Sequence, residues 1–245
     1  MLKWLKTAVN TCVLLMLTSC QPTQSASTRI NANHYDSFWI WGNIQSAPYL
    51  VQSKELYILQ GEIRYSKQKQ SSVLIPQGIS IRKLPHQKIW LVFRTHHLKW
   101  DEQNYQTIFS RMKHWKNQGN QVQGLQIDFD SQTNNLKDYA IFLEKLRQQL
   151  PAKYKLSITG LLDWTNVKDQ NTLHILRQNI DELVLQSYQG TTTIPNYGEY
   201  LKRISSMQLP YKIGLVQHGI WQTTLNQPND RFFRGYVVFL LRPKT

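Results

Sequence analysis

The chain alternates short apolar runs with longer amphipathic ones, and the alternation predicts strands followed by helices. Eight runs read as strands: Phe38–Trp41, Leu56–Ile63, Ile89–Phe93, Val122–Asp130, Lys155–Leu162, Leu183–Tyr188, Ile213–Gln217 and Gly235–Leu241. Between them, Asp101–Gln118 places Tyr105, Ile108, Met112 and Trp115 at helical spacing and stops at Gly119. Asn135–Leu150 carries a stripe of Leu136, Tyr139, Ala140, Leu143, Leu146 and Leu150, closed by Pro151. Residues 167–180 and a segment marked by Tyr197, Tyr200, Leu201 and Ile204 complete the predicted helices. Three connections, 43–55, 66–87 and 219–234, lack a helical pattern, with at most a short strand near Ser80-Ile81. The expected fold is α/β: a closed (β/α)8 TIM-like barrel with reduced or irregular helices. An open doubly wound sheet is the alternative, and no glycine-rich phosphate fingerprint supports it.

The beginning of the chain follows a different rule. Lys3 and Lys6 precede a mostly apolar run from Ala8 to Leu17, which is the composition of an export signal and too short to span as a stable helix. It ends Leu17-Thr18-Ser19-Cys20, which resembles the bacterial lipobox, whose cysteine is lipidated. The expected organisation is a lipoprotein signal peptide over 1–19, a lipidated Cys20 with a polar tether over 20–35, and a barrel domain over 36–245. The resemblance implies an exported lipoprotein anchored in the cell envelope through Cys20. Gln21 after the cysteine implies the outer membrane. Cys12 leaves with the signal, so Cys20 is the one mature cysteine, and neither a disulfide nor a thiolate metal site is expected.

Charge changes the expected partners. Lys and Arg number 29 and Asp and Glu 15, a net charge of +14, or +12 once Lys3 and Lys6 are removed. Such a surface attracts anionic polymers or a membrane. The basic residues are scattered and form no nucleic-acid motif, so a solvated basic surface is the favoured reading.

The most informative stretch is Gly124-Leu-Gln126-Ile-Asp128-Phe-Asp130. Side chains alternate faces along a strand, so Gln126, Asp128 and Asp130 share one face. Aspartate is depleted in strands, and two at alternate positions call for a reason. In barrels of this class the chemistry sits at the strand carboxyl ends. Those ends carry Trp41, Glu62, Arg94, Asp163, Gln186, Tyr188 and Gln217. Aromatic faces stack on sugar rings, amides and Arg bond hydroxyls, and an acid pair can protonate a glycosidic oxygen. His96 and His97 are adjacent and point apart on a strand, and no H-E-x-x-H motif or Cys/His cluster exists, so no metal or cofactor is expected.

Gln123-Gly-Leu-Gln126-Ile-Asp128-Phe-Asp130 is similar to the fourth-strand motif of family 18 glycoside hydrolases, D-G-x-D-x-D-x-E, and Gln186-Ser-Tyr188-Gln189 to that family's M-x-Y-D. More closely, Phe38-Trp39-Ile40-Trp41-Gly42, Leu125 to Asp130, Leu156-Ser157-Ile158-Thr159 and Trp164 resemble the bacterial domain of unknown function numbered 3142. The resemblance implies a hydrolase-like barrel. It puts Asp130 in the proton-donor position, its pKa raised by Asp128, and Asp128 in the orienting position. Arg94 and Tyr188 then position the sugar, and Gln126 and Gln186 bond its hydroxyls. The motif's other acids are replaced by Gln123, Gln126 and Gln189. Asp130 is one methylene shorter than the family's Glu, a shortfall of ~1.5 Å. Two functions follow: an enzyme acting on an envelope polysaccharide, or a barrel that binds a glycan or serves envelope assembly without cleavage. A deep open pocket containing Asp128 and Asp130 and lined by Trp41 and Tyr188 favours a saccharide site, whereas a filled mouth with both carboxylates tied to Arg94 or to backbone amides favours the assembly role.

Overall fold

The computed structural model describes residues 27–42, 50–222 and 229–241. The export signal and Cys20 lie outside the described residues. Described strands and helices run β1 (Ser27–Arg29), β2 (Ser37–Ile40), β3 (Glu55–Ser66), β4 (Ser71–Pro76), β5 (Lys88–Thr95), α1 (Glu102–Asn117), β6 (Gln121–Asp128), α2 (Leu136–Gln149), β7 (Lys155–Leu161), α3 (Gln170–Asn179), β8 (Glu182–Gln186), β9 (Tyr188–Gln189), β10 (Thr192–Thr193), α4 (Tyr197–Leu201), β11 (Tyr211–Val216), β12 (Ile220–Gln222) and β13 (Phe233–Phe239).

Eight of these strands pair in parallel in the order β2-β13-β11-β8-β7-β6-β5-β3, and the additional pairing of β2 with β3 closes the ring. The fold is the expected closed parallel barrel, and each predicted strand run supplies one of its staves. The helices are few: α1, α2, α3 and the short α4 are the α-helices among the described residues. α1 and α2 keep their expected bounds to within one residue, and α3 begins three residues later than expected, at Gln170. Asp101 caps α1 through a capping box with Asn104, and the Asp169 carboxylate accepts the Asn171 and Thr172 amides at the start of α3.

Two segments differ from the sequence expectation. Residues 66–87 hold a strand at Ser71–Pro76, earlier than Ser80-Ile81. The reason is an open edge. β2 is four residues long and pairs with Glu55–Ile58 of β3, whereas β3 continues to Ser66. Its bare upper edge, Gly61 to Ser66, is covered by the antiparallel β4. The second segment is the expected tether. From Ser27 onward it is docked: β1 pairs with β12, and Ile30 and Ala32 are buried in the core.

Side chains outside the staves pack against the helices, with Trp115, Tyr139, Leu143, Trp164 and Leu176 fully buried there. The inside is filled as well. Trp39, Tyr57, Leu59, Trp90, Val92, Val184, Val216 and Val237 form a separate interior cluster. Among them runs a polar chain. Trp39 Nε1 donates to Gln126 Oε1 at 2.6 Å, and Gln126 Nε2 donates to Ser157 Oγ at 2.9 Å. Ser157 Oγ and Tyr57 Oη both donate to Glu182 Oε1, at 2.8 and 2.7 Å. Lys212 Nζ reaches Glu182 at 3.3 Å, bonds Glu55 and donates to Tyr57 Oη at 2.9 Å. Trp90 Nε1 completes the set on Glu55 Oε1 at 2.7 Å. Burial alone would lower the Lys212 pKa, but the charges of Glu182 and Glu55 override it and hold the ammonium protonated.

Removing the cation from this cluster leaves two carboxylates facing one another in the interior. Lys212→Met is expected to destabilise the fold by ~3–5 kcal/mol in urea denaturation. A cost under ~1 kcal/mol would show that the cluster does not hold the barrel.

Candidate active site

The polar chain forms a floor, and one residue pair above it the strands open into a cavity of about 700 Å³. β6 alternates faces, so Asp128 follows Gln126 on the inner side, and Asp130 extends the same face beyond the strand end. Arg94, opposite Asp128 in the β5–β6 register, enters from the neighbouring stave. Trp41 continues the inner face of β2 past its end. Tyr188 leaves β8 beyond Gln186, and Phe239 ends β13.

Arg94 is the hub. Its Nη2 lies 3.1 Å from Asp130 Oδ2 and its Nε 3.7 Å from Asp128 Oδ2, and the guanidinium rests over the Trp41 ring at 5.4 Å. Trp41 meets Phe239 edge-on at 5.3 Å, and Phe239 stacks on Tyr188 at 5.7 Å. The cavity wall is thus a continuous aromatic surface with a cation fixed to it.

The two carboxylates have opposite surroundings. Asp128 is 2% exposed and accepts from Thr159 Oγ1 at 2.8 Å. The Asp130 side chain is 56% exposed. The sequence expectation put the raised carboxyl at Asp130. In the structure it is Asp128 that is pushed up to about 6, by burial first, with the Asp130 charge adding and Arg94, Thr159 and His96 opposing. Burial also pushes the Tyr188 phenol well above its ordinary value, helped by the charges of Asp128 and Asp130, so it stays a hydrogen-bond donor.

Of the ten residues that the sequence brought forward, seven line this cavity: Asp128, Asp130, Trp41, Arg94, Asp163, Gln186 and Tyr188. Three do not. Gln126 is fully buried in the floor, bonded to Trp39 and Ser157. Glu62 is saturated by Arg64 and Gln77, both at 2.6 Å, and by His96. Burial would raise its pKa, but those bonds hold the carboxyl below its ordinary value. Gln217 accepts the Leu241 amide at 3.0 Å and ties the end of β13 to β11. Asp163 sits in a short 3-10 turn (Leu162–Asn166) rather than capping α3, and its Oδ2 accepts from Thr133 Oγ1. Gln132, Ile194 and Tyr200 also line the cavity from loops and from α4. They carry no strand-end signal, since the folding back of the loops alone brings them in.

The raised Asp128 has a consequence for stability. The folded state binds this proton more tightly than the unfolded chain, whose aspartate titrates near the ordinary 3.8. The contribution is therefore complete below that value and is lost as pH rises through about 6. The gap corresponds to ~3 kcal/mol. Asp128→Asn, neutral at every pH, is expected to gain stability relative to the parent between mildly acidic and mildly alkaline buffer, by up to that amount. Melting curves of the two proteins that stay parallel across this range would overturn the assignment.

Residues 97–212 match the family model for a domain of unknown function, DUF3142. No curated protein matches the chain. Among solved structures, the spore cortex-lytic enzyme SleL of Bacillus cereus aligns with a TM-score of 0.46 at 16% identity, over 74% of this chain and 51% of that one. The chitinase domain of the spore coat protein CotE from Clostridium difficile aligns with a TM-score of 0.48 at 13% identity, over 76% and 67%. The chain thus spans about half the length of SleL. The family match runs from the end of β5 to the start of β11 and contains both aspartates, and over that span it bears out the resemblance to the domain of unknown function 3142.

Proposed function

We propose that this protein is an exported envelope lipoprotein whose barrel mouth binds a polysaccharide and cleaves its glycosidic bonds. In this reading residues 1–19 are the leader, a lipid on Cys20 is the anchor, and the tether ends where β1 docks at Ser27. The observation that carries the enzymatic reading is the contrast between two neighbouring carboxyls in an aromatic cavity. Asp128 is buried, which pushes its pKa up to about 6, and Asp130 is exposed to water and held by Arg94. Environments that push two acids apart mark out an acid and a base.

In this reading Asp128 gives its proton to the glycosidic oxygen as the carbon–oxygen bond breaks. A water adds its hydroxyl to the anomeric carbon and passes its other proton to Asp130. A general acid works best when its pKa lies near the working pH, and a carboxyl raised to about 6 keeps its proton in mildly acidic surroundings where an ordinary aspartate does not. The roles are the reverse of those that the family 18 resemblance implies, and the reason is burial. The Tyr188 phenol and Gln186 amide orient hydroxyls, while Trp41 and Phe239 offer ring faces. A second cavity of about 320 Å³ shares Trp41 and Phe239 with the first, which suits a chain of several sugars. The polymer would pass on both sides of Trp41.

One observation favours a binding protein instead. Arg94 sits between both carboxylates, and an ion pair that immobilises Asp130 also opposes its use as a base. Incubating the full chain with a panel of envelope polysaccharides and exopolysaccharides, beside Asp128→Asn and Asp130→Asn, separates the two. Mass spectrometry should find new products from the parent, and each variant should turn over at least ~100-fold more slowly while still binding. Products formed at the parent rate by either variant would remove that residue from the mechanism. A polymer retained by all three proteins without products selects the binding reading.

A further inference from the structure

The cavity has a charge opposite to that of the protein around it. The chain carries +14 overall, yet the charged side chains lining the cavity are Arg94, Asp128, Asp130 and Asp163, with no lysine or histidine among them. The single cation is spent, since Arg94 pairs with both Asp130 and Asp128 and lies over Trp41. Asp163 stands apart from that group. Its Oδ2 has Thr133, and its Oδ1 is shielded from water with no hydrogen-bond partner. Unlike Asp128 and Asp130, Asp163 has no ion pair among the described residues, so a ligand that brings a cation supplies what the free protein lacks there. A charged donor gains more than a neutral one.

The cavity, with its aromatic wall, defines the site, and the acids set what charge it accepts. An acidic sugar would bring a carboxylate toward three aspartates and one occupied arginine. An N-acetyl group would bring a neutral amide, which leaves the charge of Asp163 uncompensated. A free amine on the sugar ring is protonated in mildly acidic solution and has three donors. Seated between Asp163 and Asp130, it meets one carboxylate without an ion pair and one that is exposed to water.

We propose that this cavity selects amino sugars with a free amine, a de-N-acetylated glucosamine polymer being the class, and that Asp163 is the residue that determines the preference. The inference rests on the glycan reading above and goes beyond it in naming the sugar. It also reverses the expectation from net charge, under which an anionic polymer would be the ligand. The basic outer surface then does not attract the cationic chain. The aromatic wall and the acids inside the mouth hold it.

Calorimetric titration of the full chain, in mildly acidic buffer, with oligomers of glucosamine, N-acetylglucosamine, glucose and galacturonic acid tests this directly. The glucosamine oligomer should bind at least ~10-fold more tightly than each of the others, the size of one charge-assisted contact. Asp163→Asn, which keeps an oxygen for Thr133 and the same volume, should remove that preference while leaving the weaker neutral oligomers unchanged. Equal or tighter binding of the acetylated, neutral or acidic oligomers to the parent overturns the amine preference and leaves the glycan reading standing. Binding of none of the four overturns both. A folded Asp163→Asn that keeps the full preference removes Asp163 from the argument, and the comparison of ligands on the parent stands whether or not the variant folds.

Discussion

What the rest of this structure depends on is how the barrel interior is filled. Eight staves enclose a space that must be packed, and a purely aliphatic filling would leave no reason for a site at any particular depth. Here the filling includes Trp39, Tyr57 and Trp90, three large rings that each end in a polar atom. Each atom needs a partner within the interior, and Gln126, Glu182 and Glu55 provide one for each. Two carboxylates then require a cation, which is Lys212. The cluster is closed on itself and fixes where the floor lies. Asp128, two residues beyond Gln126 on the same face of β6, therefore stands immediately above it, dry beneath and open above.

That position explains why the two aspartates differ although only Phe129 separates them. Asp128 is at the last residue of β6, still surrounded by staves, and Thr159 on β7 bonds it from the side. Asp130 has left the strand and meets water. A single arginine from the next stave touches both, and it is in turn held by the Trp41 ring. Of the two arrangements drawn from the sequence, the geometry has the pocket of the first, open and lined by Trp41 and Tyr188, and only the ion pairs of the second, since both carboxylates are tied to Arg94 while the mouth is not filled. The decisive quantity is then the strength of one partly exposed ion pair, Arg94 with Asp130, which is modest in solvent and which a ligand's hydroxyls can exchange with.

Much of the fold was legible because barrel staves leave a strong local signal. Runs such as Lys88-Ile-Trp-Leu-Val-Phe and Glu182-Leu-Val-Leu are apolar on both faces, as staves buried on both sides must be. The hairpin of β3 with β4 was not legible, because its cause is the shortness of β2, a property of a distant segment. The same division holds in the cavity. Strand phase told which face a residue takes, which brings Arg94, Asp128 and Tyr188 together, but it does not tell height along the axis. Gln126 has the right face and lies one step too deep. Glu62 was displaced for a second reason: the register shift between Leu59 and Gly61 re-aims the end of β3, where Arg64, Gln77 and His96 enclose the carboxyl. Ile194 and Tyr200 were beyond reach because they arrive on a loop and on α4, away from any strand end.

The replaced acids take on meaning at this point. In a site where several carboxylates crowd one strand, like charges raise one another's pKa, and each proton is shared. Here position 126 is an amide used as structure, and positions 123 and 189 are amides as well. Asp128 has no acid at those positions, and Arg94 stands beside it, which by itself would draw its pKa down. Its proton is retained chiefly because the floor excludes water from beneath it. The same interior that closes the barrel thus supplies, through desolvation, what a row of acids would supply through repulsion, and the chemistry of Asp128 is set by the packing of Trp39, Gln126 and Tyr57 below as much as by Asp130 beside it.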